Sequence, residues 1–198
     1  MSMPEILELE LRNAGLKLSP AKQLQLATYA AEIEHWNHAV NLSALRGAAL
    51  VRRLIVEPIR IGTQLEMSGV LADVGSGNGS PGIPLALACD FRAVHLIEPR
   101  LKRASFLRNV VAKLGLKDCV VHRSRIEDIA DGALSCDWVS LQAIDPTEDI
   151  VEALRRISTP TTKVVWITSR AHPPVESAVK IEGPDKIIRG WSFRLDQT

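Results

Sequence analysis

The sequence predicts an α/β fold: a mostly parallel, seven-stranded sheet with an antiparallel terminal strand, preceded by an N-terminal helical appendage. Three observations predict it. From residue 70 onward, short apolar runs alternate with helical stretches, the order that builds a parallel sheet covered on both faces. The first of those runs ends in a glycine-rich turn, Gly75-Ser76-Gly77-Asn78-Gly79, that leads into a helix. The second ends at a carboxylate, Glu98.

The elements follow in order. Met3–Asn13 is a helix with Ile6, Leu7 and Leu11 at helical spacing, broken by Gly15. Ser19-Pro20 opens a second helix, with Ser19 as N-cap and proline at the first helical position. Leu24, Ala27, Ala31 and Ile33 are its expected buried stripe, and it runs to about His38. Trp36 sits at helical spacing with Ile33 and Val40 and reads first as a packing residue. Ala48–Leu65 is a third helix, which Pro58 should kink or interrupt. These helices make up a region of residues 1–66, and residues 67–198 form the sheet core of one domain.

In the core, Val70–Val74 is the first strand and Pro84–Ala88 the helix after the glycine turn. Ala93–Ile97 is the second strand. Lys102–Leu114 is an amphipathic helix closed by Gly115. Cys119–His122 is a strand, Ile126–Ile129 a short helix, Trp138–Leu141 a strand, Thr147–Ile157 a helix and Val164–Thr168 a strand. Ser177–Glu182 and Lys186–Leu195 pair as a hairpin around Gly183-Pro184-Asp185.

Composition narrows the function classes. The net charge of +1 argues against a protein held on nucleic acid by bulk charge alone. Local basic clusters remain: Arg46, Arg52, Arg53 and Arg60; Arg100, Lys102, Arg103 and Arg108; Arg123 and Arg125. Cys89, Cys119 and Cys136 are widely spaced and read as buried thiols of a reducing cytosol. The histidines show no ligand spacing, so no metal is expected. Met1–Leu11 carries Glu5, Glu8 and Glu10 and is not a secretory signal. No 18-residue apolar run exists, so no membrane partner is expected. The expectation is a cytoplasmic monomer.

The glycine turn carries the chemistry. In a parallel sheet, ligands bind beyond the carboxyl ends of the strands, where the strand order reverses. Glycines there permit positive φ and close backbone approach. A carboxylate at Glu98 suits a ribose diol. A dinucleotide fold prefers G-x-G-x-x-G, whereas this loop reads G-x-G-x-G followed by Ser80-Pro81-Gly82. Asp73, just before the loop, favours a cationic sulfonium or α-amino group and repels pyrophosphate. The favoured cofactor is therefore S-adenosyl-L-methionine, with a nicotinamide dinucleotide as the alternative.

The segment Leu71–Leu85, with its run Gly79-Ser80-Pro81-Gly82-Ile83-Pro84-Leu85, resembles the cofactor motif of the bacterial 16S ribosomal RNA guanine-N7 methyltransferases, the RsmG or glucose-inhibited division protein B family. Trp36-Asn37-x-x-x-Asn41-Leu42-Ser43 resembles that family's WN…NLT signature. Lys102-Arg103-Ala104-Ser105-Phe106-Leu107 resembles its K-R-x-x-F-L helix, and Ser124–Asp128 its S-R-x-E-[DE] segment. The resemblance spans residues 30–130 and implies a Rossmann-like, class I S-adenosylmethionine-dependent methyltransferase fold. It implies cofactor binding by Asp73, Gly75, Ser76, Gly77, Gly79 and Ser80 at the loop and by Glu98 at the ribose. Ile126 and Glu127 would border the adenine, and Gln142 would stand on the cofactor side of the cleft.

The chain departs from the family in three places. The family's R-H-x-x-D-S stretch reads Arg52-Arg53-Leu54-Ile55-Val56-Glu57 here. Its S-R-A-F reads Leu141-Gln142-Ala143-Ile144, and its lysine after the fifth strand aligns with Thr168. The implied activity is methyl transfer to guanine N7, which carries a lone pair and no proton, so no general base is nominated. Asp145, followed by Pro146, is a candidate contact for the guanine N1/N2 edge, although the pair equally starts a turn. Arg52, Arg53, Arg100, Arg103, Arg123 and Arg125 are candidate contacts to ribosomal RNA or a small-subunit precursor. Two other readings remain open: a methyltransferase for a small molecule or another macromolecule, and a non-catalytic cofactor-binding module.

Overall fold

The computed structural model describes residues 1–174, 176–183 and 188–195. Helices α1 (Met3–Asn13) and α2 (Pro20–Val40) come first. Ser19 caps α2 by accepting from the Lys22 amide, and Asn41 ends it with a left-handed φ of 50°. Of the expected stripe of α2, Ala27 and Ile33 are buried and the other two residues are not. Leu26, Tyr29, Ala30 and Ile33 are buried, at i, i+3, i+4 and i+7, whereas Leu24 and Ala31 are exposed. Trp36 packs edge-on against Phe106, with ring centroids 5.8 Å apart.

The third helical stretch is continuous but irregular. It comprises α3 (Gly47–Val51), a π-helical turn (Arg52–Val56) and α4 (Glu57–Gln64). Pro58 accounts for the irregularity. It has no N–H to give to the Leu54 carbonyl, and its ring collides with that carbonyl in a regular α-helix. The π-turn, in which the Glu57 amide donates to the Arg52 carbonyl, widens the helix just ahead of it.

Seven strands follow: β1 (Ser68–Val74), β2 (Asp90–Ile97), β3 (Cys119–His122), β4 (Cys136–Gln142), β5 (Ser158–Ile167), β6 (Val179–Glu182) and β7 (Ile188–Arg194). Their order in the sheet is β3-β2-β1-β4-β5-β7-β6. The first five are parallel, and β7 runs antiparallel to both β5 and β6. Pro184 and Asp185 of the expected hairpin turn lie outside the described residues. β5 begins six residues earlier than expected. A register shift between Cys136 and Trp138 accommodates the early stretch, and Pro160 sits there, where no ladder donor is required. The Thr162 hydroxyl donates to the Cys136 carbonyl across the shift.

Among the described residues, helices α5 (Gly82–Ala88), α6 (Leu101–Leu114) and α7 (Glu148–Ile157) and a 3-10 turn (Ile126–Asp128) complete the fold. α5 starts at Gly82, two residues before expectation. A side chain there would collide with Leu96 and with the Asp73 carboxylate, so the helix enters close against the sheet. One core forms between the sheet and helices α1 to α6, around Tyr29, Ile55, Leu71 and Phe106. A second lies on the opposite face around Val139, Leu154 and Trp166. Of the three thiols only Cys136 is buried; Cys89 and Cys119 are half-buried. Burial still pushes all three well above the usual thiol range, to about 11 for Cys89 and about 12 for the others.

Among the described residues no helix is long and apolar enough to cross a membrane. No group of metal-ligating side chains comes together among them either.

Candidate functional site

The strand order reverses between β1 and β4, and a cleft of about 420 Å³ opens beyond their carboxyl ends. The glycine turn forms its floor. Gly75, Gly77 and Gly79 adopt φ of 70°, 51° and 92°, a region that costs other residues strain. The amides of Gly75 and Ser76 both donate to the Ile97 carbonyl, at 2.8 and 3.0 Å, so the turn docks on the end of β2. The Ser76 hydroxyl donates to the Asp73 carbonyl at 2.8 Å, which closes the turn on itself.

Glu98 stands where the sequence puts it, at the tip of β2. It is 3% exposed and lines the cleft. Its two oxygens are each used once: Oε2 accepts from the Gly77 amide at 3.1 Å and Oε1 from the Arg100 amide at 2.8 Å. A carboxylate has about four acceptor positions. Each oxygen therefore keeps capacity for one further donor, which is what a ribose diol presents. On the far wall, Gln142 at the end of β4 accepts from the Ser80 hydroxyl at 2.9 Å, so Ser80 and Gln142 meet across the cleft.

Asp73 lies beneath the turn and does not line the cleft. It is 1% exposed, accepting from the Ser140 hydroxyl at 2.7 Å and from the Gly82 amide at 3.3 Å. Burial raises its carboxyl to about 6, against the opposing effect of those donors. It acts as a tie between β1, β4 and the start of α5. Gly79 likewise points inward, toward Ile83 and Leu107. Ile126 is buried in the second core, and Glu127 is exposed; neither lines the cleft.

Residues that the sequence reading did not assign to the site complete the walls. Leu42, Leu54, Asn78, Pro99, Ala143 and Ile144 all line the cleft. The Trp-Asn…Asn-Leu-Ser signature carried the signal for one of them. Asn37 Oδ1 accepts from the amides of Leu42 and Ser43, at 2.5 and 2.9 Å, and its Nδ2 donates to the Ser43 carbonyl at 2.6 Å. This clamp carries Leu42 to the cleft. Ile144 packs so close to Gly75 that a Cβ at Gly75 would lie 1.9 Å from its Cδ1.

A family profile described as rRNA small subunit methyltransferase G, GidB, matches residues 22–177. The chain belongs to this family. A GidB relative, the ribosomal RNA small subunit methyltransferase G of Aromatoleum aromaticum, is 41% identical over 128 residues, covering 62% of this chain and 61% of that protein. The protein of the same name from Xylella fastidiosa strain M23 is 38% identical over 137 residues, covering 69% and 64%. In both, the alignment spans less than two thirds of the relative. A solved S-adenosylmethionine-dependent methyltransferase from Aquifex aeolicus superposes with a TM-score of 0.57 at 17% identity, covering 84% of this chain and 98% of that one. The architecture of this GidB-family chain is thus the Rossmann-like methyltransferase fold.

The arginines separate into groups. Arg100 and Arg103 line the cleft, and Arg103 reaches across to the Asn41 carbonyl at 3.4 Å. Arg52 and Arg53 instead line a second hollow of about 700 Å³ between α1, the π-turn and β7, together with Arg60 and Arg189. Arg52 pairs with Glu10 at 2.9 Å, and Arg53 pairs with Glu57 at 2.5 Å. Arg189 lies 3.4 Å from the other oxygen of Glu57. Val56 also lines this second hollow. Arg123 and Arg125 are exposed beyond β3. Asp145 lies outside the cleft, one residue past Ile144, paired with Arg170 at 2.7 Å. Thr168 accepts from the Arg170 amide at 3.2 Å, beside that pair.

Proposed function

We propose that this chain, as a single methyltransferase domain with residues 1–66 as its helical part, transfers a methyl group from S-adenosyl-L-methionine to guanine N7 of small-subunit (16S) ribosomal RNA. The observation that carries the reading is Glu98, buried at the lip of the cleft with one acceptor position still available on each oxygen, in a chain of the GidB family.

The residues present fit the cofactor. Gly75, Ser76, Gly77 and Ser80 would hold its methionine end, Glu98 its ribose and Gln142 the opposite wall. Asp73 and Gly79 would act from below by shaping the turn, while Ile126 and Glu127, which stand outside the cleft lining, would reach the adenine only where it extends past the cleft. When bound, the cofactor supplies an electrophilic methyl group on a sulfonium sulfur. The protein then has to hold the acceptor nitrogen in line with that bond at about 3–3.5 Å. N7 attacks through its lone pair, so no residue has to remove a proton first. Arg100 and Arg103 at the cleft, Arg52 and Arg53 at the second hollow and Arg123 and Arg125 beyond β3 would take RNA phosphates, which fix position rather than sequence. The reading places a monomer in the cytoplasm, with ribosomal RNA or a small-subunit precursor as partner.

A specific observation favours a second reading, methylation of another acceptor. The family's polar residues are replaced at Arg53, Val56, Gln142 and Thr168, three of which border the cleft or the hollows beside it. One experiment separates the two. Labelled cofactor is incubated with small-subunit RNA from a strain lacking the modification. Label at guanine N7 supports the first reading. Cofactor binding without label in RNA rejects it and leaves the second.

A further inference from the structure

The geometry points to Asp145 as the group that reads the acceptor base as guanine, with the Arg170 guanidinium holding the base's place until it arrives. This rests on the guanine-N7 reading and adds a recognition site to it.

β4 and β5 lie side by side and end at Gln142 and Ile167, on the same sheet edge as the cofactor cleft. Beyond them a hollow of about 410 Å³ is lined by Asp145, Pro146, Trp166, Arg170, His172 and Pro173, among others. It begins one residue past the cleft wall, Ile144 lining the cleft and Asp145 the hollow. The step between the two is fastened. The Trp166 indole N–H donates to the Ile144 carbonyl at 2.9 Å, and the Trp191 indole N–H donates to the Arg170 carbonyl at 3.1 Å. Both backbones are thus pinned, while the side chains of Asp145 and Arg170 remain 52% and 62% exposed.

Arg170 Nη2 donates to Asp145 Oδ2 at 2.7 Å, and its guanidinium carbon lies 5.9 Å from the centre of the Trp166 ring. A carboxylate on the edge of a flat N–C–N donor group, with an indole beside its face, is also the environment that selects guanine. The N1–H and N2–H groups of guanine, joined through C2, reproduce the donor fork of a guanidinium. Adenine, cytosine and uracil do not offer that pair of donors. An ion pair this exposed is worth little on its own, so a base can exchange for Arg170 at small cost. N7 lies across the purine from the N1–N2 edge. With that edge on Asp145, N7 stays clear of the carboxylate. The fixed negative charge also opposes the positive charge that grows on the ring during methylation. Arg170, once displaced, remains at the rim as a cation for the adjoining phosphate.

The test measures binding of guanosine, inosine and adenosine monophosphates by calorimetry, to the full chain saturated with S-adenosylhomocysteine. The wild type should prefer the guanine nucleotide to the adenine one by about tenfold or more, with inosine, which lacks the N2 amino group, between them. Asp145→Asn should erase the preference while leaving cofactor affinity and the thermal midpoint unchanged. Arg170→Ala should raise the guanine-to-adenine ratio, by about threefold, because it removes the competitor. A purely structural ion pair predicts no rise. The inference is overturned by a wild type without guanine preference, by an Asp145→Asn variant that keeps it, or by an Arg170→Ala ratio that is unchanged or lower. The labelled-RNA assay of the wild type reports separately on methylation. Label in RNA together with any of these outcomes sinks the base-reading role alone, and absence of label sinks the parent reading.

Discussion

The hydroxyl of Tyr29 donates to the carbonyl of Asn78 at 3.0 Å, fastening the middle of α2 to the glycine turn after β1. Tyr29 is fully buried. Burial, with the nearby Asp73 charge, pushes its phenol well above the usual range, so it remains a donor. Tyr29→Phe keeps the ring and removes the donor, leaving a part-buried carbonyl with one partner fewer. The expected loss is about 1–2 kcal/mol in denaturant unfolding. Cofactor affinity should also weaken several-fold by calorimetry, because the turn is held less firmly from behind. An unchanged cofactor affinity would mean that α2 only packs against the turn.

Glu98 makes two contacts that a glutamine cannot both preserve. In Glu98→Gln one oxygen becomes an NH2 group, which faces either the Gly77 or the Arg100 amide and repels it. The variant should bind cofactor about 10- to 100-fold more weakly, in keeping with hydrogen bonds to a charged group. The fold should persist, as judged by far-ultraviolet circular dichroism. Equal affinity in variant and wild type would remove Glu98 from the site.

Gly75 tests how closely the cleft walls meet. A methyl group at Gly75 lands on Ile144 Cδ1, and φ of 70° is strained for alanine. Gly75→Ala should therefore lose most cofactor binding. Adding Ile144→Ala should recover part of it by clearing the collision, while the backbone strain of about 1 kcal/mol stays. No recovery in the double variant would place the damage in the backbone alone.

The buried carboxyl of Asp73 has a signature in pH. Its value rises from 3.8 to about 6 in the folded protein, chiefly through burial. A raised value means that the folded state holds the proton more tightly than the unfolded chain does. The associated stability is therefore complete below pH 4 and is lost as pH rises through 6. Asp73→Asn cannot titrate. The stability of wild type relative to the variant should fall by about 2–3 kcal/mol between pH 4 and pH 7. A flat difference across that range would show Asp73 to be better solvated than its 1% exposure implies.

Arg125 is exposed beyond β3, and its substitution is not expected to disturb the fold. Arg125→Ala should leave the thermal midpoint in place and lower RNA affinity without regard to sequence. The slope of log affinity against log salt should drop by about one if the side chain neutralises one phosphate. An unchanged slope would assign it to solvent.

The sheet was legible because its inner strands are continuous apolar runs, and the glycine turn with Glu98 located the switch point between them. Where chemistry and packing use the same residue types, the sequence was less informative. Leu24 looks as suited to the core as Leu26, and only the packing of α2 against its neighbouring helices decides between them. Thr159–Thr162 has no strand pattern because that stretch of β5 is anchored through the Thr162 hydroxyl at a register shift. An acid before a glycine turn reads as a ligand contact. Asp73 instead points inward, since side chains alternate along β1 and its neighbours Ser140 and Gly82 draw it beneath the turn. Ile144 was visible only as a departure from the family's S-R-A-F stretch, because its packing role comes from the close approach of two loops distant in sequence.

The π-turn at Arg52–Val56 makes neighbours in sequence serve separate spaces. Leu54 helps enclose the cofactor cleft, while Arg53 and Val56 border the arginine-lined hollow on the other side. This widened stretch of helix is a party wall. Its Leu54 face belongs to one chamber and its Arg53 and Val56 face to the other, so a single turn of helix sets the boundary of both.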